Sequence, residues 1–319
     1  MVRAGVVGAG TMGAAIAEVL AYNGIDVTLK DVDAARVEAG MARIRGLVQE
    51  LVDFHARRAD REIARIAELG VTLTDPQAET IRHRLAPRFD RSRGDELLAR
   101  IHPTTDDAAF GDVDLVIEAV FERPEVKRPV LEALDRTVPE HAVIGSNTSS
   151  LSISSLARGL RHARQTLVTH FFNPPTTLPL VEIAGGVDTR EDLVAEVAEF
   201  FQGLRNHRYP LVPIVVRESP AFVVNRLLMP VLNEACFVLQ EGIAGPREID
   251  LAMKSGAGMP MGPFELADMI GLDVALEVAE TLVRETGDPK YRPAPPLRRL
   301  VAAGHLGRKT GRGFYEYPV

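Results

Sequence analysis

Cysteine is almost missing from this chain of 319 residues. Cys236 is the sole one, which excludes an intrachain disulfide and a cysteine-based metal cluster, and no metal site is expected. It lies in the apolar run ACFVL, the setting of a buried filler side chain and not of an exposed nucleophile. Long apolar runs are missing too. No stretch approaches the ~18 residues needed to span a bilayer, and the N-terminus lacks a basic segment followed by an apolar run. A cytoplasmic protein without membrane contact is the expectation. Positive charge is in deficit: the formal net charge is −7, which argues against a nucleic-acid surface. Lysine is confined to Lys30, Lys127, Lys254, Lys290 and Lys309 while arginine is abundant, a compositional bias. The closing GHLGRKTGRGFYEY reads as a short turn before an aromatic strand, not as an RNA-binding tail.

What the chain does have begins at its N-terminus. VRAGVVGAGTMG runs an apolar strand into Gly8, Gly10 and Gly13 and then into the helical pattern AAIAEVLAYNG. The first glycine permits a tight turn, the second lets the backbone approach a pyrophosphate, and the third lets helix and strand pack closely. A helix N-terminus adds amide donors and the positive end of its dipole. Downstream, IDVTLKDVD carries Asp31 roughly twenty residues past the glycines, where an acid accepts hydrogen bonds from a ribose diol. That carboxylate would repel a ribose phosphate, so NAD is preferred over NADP.

A second cluster lies between Ser146 and Ile183, where SNTSSLSIS, THFFNPP and LPLVEI bring a hydroxyl, an imidazole and a carboxylate into one span. A histidine with a carboxylate partner holds one ring tautomer and gains basicity, as a base taking an alcohol proton near neutral pH requires. His170 and Glu182 are the candidates. Asn173 precedes Pro174 and Pro175, which stiffen the loop after His170. Glu118 and Glu122 follow the strand VDLVI; either closes that strand or, in the case of Glu122 with Lys127, faces the nicotinamide end of the cofactor. Thr148 and Ser150 fit a turn or helix cap.

With its length, the chain divides into two domains. Short apolar runs alternating with helical patterns predict an α/β Rossmann-type doubly wound parallel sheet over residues 1–216, with VDLVIEAV, HAVIGSNT, QTLVTHFF and LPLVEIAG as its clearest later strands. Residues 34–100 are charged and helical in period, and read as a helical insertion projecting from the sheet. Arg43, Arg57, Arg58, Arg61 and Arg65 in that arm read as a solvated helix face. Residues 217–319 are helical throughout, giving an all-α C-terminal domain. Asn225 there has Phe222, Leu228 and Leu232 at helical spacing, which leaves its amide facing solvent or a polar cavity.

The motifs together resemble those of the L-3-hydroxyacyl-CoA dehydrogenases, including 3-hydroxybutyryl-CoA dehydrogenases. The resemblance rests on GAGTMG, DLVIEAVFE with Lys127, SNTSSLSI, HFFNPP, LVEI, VVNRLLMPVLNEA, IDLAMKSGAGMPMGPFELADMIGLD and GRKTGRGFYEY, and covers nearly the whole chain. It implies a Rossmann domain, a helical domain that forms a homodimer, NAD as cofactor and an acyl-CoA thioester as substrate in fatty-acid metabolism. It further implies His170 as catalytic histidine, Glu182 as its partner, Ser149 as substrate-binding serine and Asn225 as active-site asparagine. Cofactor contacts fall on Gly8, Gly10, Gly13, Asp31, Glu122, Lys127 and Asn173. Glu118 gains no role from it.

Three departures from the family pattern stand out. The stretch from Leu51 to Arg100 is long, FQGLRNHRYPLVPIVV contains extra residues, and where the family has Asp followed by Pro-Gly-Phe this chain reads Arg217, Glu218, Ser219, Pro220, Ala221, Phe222. Glycine at that junction permits a backbone conformation that alanine resists. Two other readings remain. One is a related dehydrogenase of a CoA-free hydroxy acid or sugar acid, which turnover without CoA reveals. The other is a non-catalytic NAD(H)-binding protein, which binds NADH without turnover.

Overall fold

Valine-, isoleucine- and leucine-rich runs with no polar face suit strands covered on both sides, and these runs form the sheet. The computed structural model describes residues 2–317. Two units are present: Met1–Asn147 with Leu156–Val215, and Thr148–Ser155 with Val216–Val319.

In the first unit, β1 (Arg3–Val7), α1 (Thr11–Tyr22) and β2 (Asp26–Lys30) form the opening βαβ motif. Then come α2 (Ala34–Ala56), α3 (Arg58–Glu68), α4 (Asp75–Arg84), α5 (Arg91–Ala99) and β3 (Ile101–Thr104). Next are β4 (Leu115–Glu118), α6 (Pro124–Thr137), β5 (Val143–Ser146), α7 (Ile153–Ala157), β6 (Thr166–Phe171), β7 (Leu180–Gly185), α8 (Glu191–Gln202) and β8 (Val212–Val215). The eight strands lie in the order β3-β2-β1-β4-β5-β6-β7-β8. From β1 the chain winds outward in both directions, so the gap between the ends of β1 and β4 is the point where the winding reverses.

The expected doubly wound parallel sheet is present, with one exception at β7, which pairs antiparallel with β6. Residues 172–179 separate the two strands, fewer than the dozen or so a parallel crossover needs. Strand β8 is parallel to β7 because α8 supplies that crossover.

Residues 34–100 are helical as expected, and their ends carry the local signals that make them so. Asp33 caps α2 by accepting from the Arg36 amide, Thr74 and Gln77 form a capping box on α4, and Asp90 caps α5. The helices divide by packing. Helix α2 buries Met41, Ile44, Val48 and Leu51, and α5 buries Leu97, all in the sheet's own core. Helix α3 buries only Ala59 and α4 buries nothing, so the α3–α4 pair is the part of the insertion that stands off the core.

The second unit contains α9 (Val224–Gln240), α10 (Pro246–Ala257), α11 (Pro263–Ile270), α12 (Leu272–Thr286) and α13 (Pro295–Ala302). Met229, Leu232, Cys236, Phe264, Leu272 and Leu282 belong to its core. Two buried aspartates organise this unit. Asp250 accepts hydrogen bonds from the amides of Phe264 and Glu265 and from the Tyr315 hydroxyl. Asp268 accepts from the amides of Phe314 and Tyr315 and from the Tyr317 hydroxyl. The aromatic strand expected at the C-terminus is instead a turn with isolated bridges at Gly307, Arg312 and Glu316, because Asp268 takes the amides a ladder would use. Ala221 and Phe222 have positive φ, 60° and 46°, so the left-handed backbone that glycine would suit is present without the glycine. No helix among the described residues is long and apolar enough to cross a membrane.

Candidate active site

The glycine turn between β1 and α1 has the shape its sequence implies. Gly8 has φ of 103°, and a Cβ there would come within 2.6 Å of the Ala119 carbonyl oxygen. A Cβ on Gly13 would collide with the Gly8 carbonyl, whereas nothing lies within 4 Å of the Cβ position on Gly10. Two glycines are therefore demanded by the fold, and the third leaves open the face on which a pyrophosphate approaches the amides at the start of α1. Asp31, at the end of β2, accepts from the Ala9 amide at 2.7 Å through Oδ2 and from the Val32 amide at 2.7 Å through Oδ1. Each oxygen retains a lone pair for a ribose hydroxyl. The open turn and the acid beside it fit a dinucleotide. Arg43 of α2, assigned by its charge pattern to a solvated face, donates to the Ala9 carbonyl at 3.3 Å and so braces the same turn.

At the end of β4, beside this turn, lies a buried ionic group. Lys127 is 1% exposed and Glu118 fully buried. The Lys127 ammonium donates to Glu118 Oε1 at 2.8 Å and to the Val120 carbonyl at 3.3 Å, and stands 3.3 Å from Glu122 Oε2. Glu118 also accepts from the Val120 amide at 2.7 Å and from Ser146 Oγ at 2.6 Å. Of the two readings open for Glu118, the structure adds that it does far more than close a strand, and sequence pattern gave no hint of this because its partners come from three separate segments.

His170 and Glu182 face each other directly across the β6–β7 ladder. Nδ1 of the ring lies 2.8 Å from Glu182 Oε2. Both residues are buried, the acid fully. The antiparallel turn of the chain is what converts a spacing of twelve residues into a cross-strand pair. Phe172 packs beside the imidazole at 4.5 Å between ring centroids. Asn147, at the end of β5, accepts from the Phe171 amide through Oδ1 at 2.8 Å and so holds the residue next to His170; sequence reasoning did not single out that contact. Asn173 follows β6 and is exposed. Ser149 and Asn225 belong to the second unit, Ser149 half-buried in Thr148–Ser155 and Asn225 half-buried in the first turn of α9. Thr148 Oγ1 accepts from the Leu151 amide at 2.9 Å, the turn role expected of it.

Two further histidines stand against buried carboxylates among the described residues, His162 with Asp135 and His207 with Glu18, each at 2.8 Å, and an exposed third, His141, lies 3.2 Å from Asp114. His162 has both ring nitrogens engaged, Nδ1 by Asp135 and Nε2 by the Pro139 carbonyl at 3.0 Å. Burial would raise the Asp135 carboxyl, but hydrogen bonds from the Arg161 and His162 amides and from the His162 ring outweigh it and hold the group below the usual aspartate value.

Comparison with known proteins agrees with this geometry. The 3-hydroxyacyl-CoA dehydrogenase NAD binding domain matches residues 3–85 and 72–218, and the C-terminal domain of the same family matches residues 222–317. A probable 3-hydroxybutyryl-CoA dehydrogenase of Deinococcus radiodurans is 39% identical over 98% of this chain and 99% of its own. A 3-hydroxybutyryl-CoA dehydrogenase of Bradyrhizobium diazoefficiens is 38% identical over 99% of this chain and 95% of its own. Among solved structures, (S)-3-hydroxybutyryl-CoA dehydrogenase from Ralstonia eutropha superposes with a TM-score of 0.81 at 40% identity, covering 99% of both chains.

Proposed function

The chain belongs to the 3-hydroxyacyl-CoA dehydrogenase family and is an NAD-dependent dehydrogenase, and on that premise we propose that it interconverts (S)-3-hydroxybutyryl-CoA and acetoacetyl-CoA, with His170 as acid and base. The observation that carries this reading is the buried 2.8 Å contact between His170 Nδ1 and Glu182. It orients the ring so that Nε2, the nitrogen Glu182 does not engage, exchanges the substrate proton. NAD supplies, when bound, the acceptor for the hydride leaving the 3-carbon. In oxidation His170 takes the hydroxyl proton as the carbon–oxygen bond becomes double; in reduction it returns that proton. Glu182 stays against Nδ1 and holds the ring in place throughout. Ser149 and Asn225 orient the substrate oxygens, and Asn225 donates to negative charge developing at the 3-oxygen or thioester carbonyl. Asp31 holds the adenosine ribose, and Glu122, Lys127 and Asn173 serve the nicotinamide end. Exposed Leu227, Ile243 and Leu251 on the second unit support a homodimer through residues 217–319; lipid metabolism in the cytoplasm is the setting proposed for the reaction.

The test is NADH oxidation with acetoacetyl-CoA beside free acetoacetate, for wild type and His170→Ala at matched folding. CoA-dependent turnover that falls at least ~10²-fold in the variant is the expected result. Turnover of the free acid at equal efficiency would assign a CoA-free hydroxy acid instead. NADH binding without turnover of either compound would remove the short-chain assignment.

A further inference from the structure

Glu118 presents an energetic question that the reaction does not answer. A carboxylate taken out of water is costly unless opposite charge and hydrogen bonds compensate it. Here the compensation converges from three places: the Val120 amide and the Lys127 ammonium on Oε1, and Ser146 Oγ on Oε2. The same ammonium stands 3.3 Å from Glu122, so two acids share one cation. They differ in exposure: the Glu118 side chain is fully buried, while that of Glu122 is 22% exposed. Glu118 therefore anchors the ammonium from the interior, and Glu122 meets it from the accessible side. The Glu118 backbone carbonyl also accepts from the Asn147 amide at 2.8 Å. Through Asn147 Oδ1 and the Phe171 amide that contact continues to the residue beside His170.

We propose that Glu118 is a positioning residue for the dinucleotide, setting the place of the Lys127 ammonium without itself touching cofactor or substrate. The inference rests on the assignment of Glu122 and Lys127 to the nicotinamide end. Glu118→Gln keeps the shape and the capacity to hydrogen-bond with Val120, Lys127 and Ser146 but removes the charge. NADH affinity, read by fluorescence titration, then falls about tenfold, the size of coupling found within one polar network. The limiting turnover at saturating NADH falls by less than threefold, a split that general loosening of the fold would not produce.

Because Glu118 acts through Lys127, the double variant Glu118→Gln/Lys127→Met binds NADH no more weakly than Lys127→Met alone. Weakened binding in Lys127→Met with wild-type affinity in Glu118→Gln would overturn the proposal and leave the cofactor assignment standing. So would additive losses in the double variant. Unchanged affinity in Lys127→Met would overturn both. Should Glu118→Gln fail to fold, Glu118→Asp keeps the buried charge and withdraws it by one methylene: weaker NADH binding at unchanged melting temperature supports positioning, and unchanged binding overturns it.

Discussion

At the scale of the residue, three histidines sit against buried carboxylates, and distance alone does not separate them, since each pair is at 2.8 Å. What differs is their place in the fold: His170 lies in β6 opposite Glu182, whereas His162 and His207 lie in connecting segments outside the strands. His162 is held through both nitrogens, so it clamps residues 135–139 to 161–162. His162→Ala should lower stability by about 2 kcal/mol, the cost of stranding buried polar partners, with turnover per folded molecule unchanged. His170→Ala should show the reverse pattern of lost turnover and retained NADH affinity; urea denaturation and titration on both variants decide this. Asp135 adds a pH test. Its folded pKa is depressed, so the stability it contributes is present above the unfolded value of about 3.9 and is lost as pH falls through the lower folded value. The stability gap between wild type and Asp135→Asn, followed by thermal melts from pH 6 downward, should hold to about pH 4 and then close. His170 and Glu182 were legible in the sequence because each lies in a strong strand pattern beside helix and turn signals. Glu118, Arg43 and Asn147 were not, since their importance lies in partners 9 to 34 residues away with no periodicity to announce them.

At the scale of the element, the junction around Ala221 bears out the concern raised by its missing glycine. Both Ala221 and Phe222 occupy the left-handed region while almost fully buried, a conformation that costs a residue with a Cβ about 1 kcal/mol or more. Ala221→Gly relieves that strain but removes a buried methyl, worth about 0.8 kcal/mol, and frees the unfolded chain. Its stability should stay within about 1 kcal/mol of wild type. Ala221→Val adds branching at Cβ to a positive φ and extra volume to a filled site, and should cost more than about 2 kcal/mol; chemical denaturation of the two variants separates backbone strain from packing. The C-terminal segment gives the opposite lesson. Its aromatic run suggests a strand, but a single fully buried carboxylate, Asp268, collects two of its amides and a tyrosine hydroxyl. Pattern reading cannot anticipate a side chain 46 residues away taking the place of a ladder. The direction of β7 was similarly hidden in pattern, although the short link after β6 contained the information.

At the scale of the whole molecule, the sole thiol offers a measure of how the folded state opens. Cys236 is fully buried in the helical unit's core, and burial pushes its thiol up to about 12. Only a thiolate attacks a disulfide reagent, so two routes to labelling have different pH signatures. Attack on the native thiol requires ionisation in place, and its rate rises about tenfold per pH unit until the native pKa of about 12 is reached. Attack after opening exposes an ordinary cysteine with a pKa of about 8.5, so that rate rises and then levels off above roughly pH 9. Full burial predicts the second curve. Labelling followed from pH 7 to 10 should therefore reach a plateau after correction for any loss of stability, and a continued rise would show that reagent and base reach the thiol inside the folded core. On the plateau, the ratio of native to urea-unfolded labelling rates gives the opening equilibrium directly. A free energy equal to that from urea denaturation would mean that Cys236 is reached only by global unfolding, and a smaller one that the helices around it open as a unit of their own.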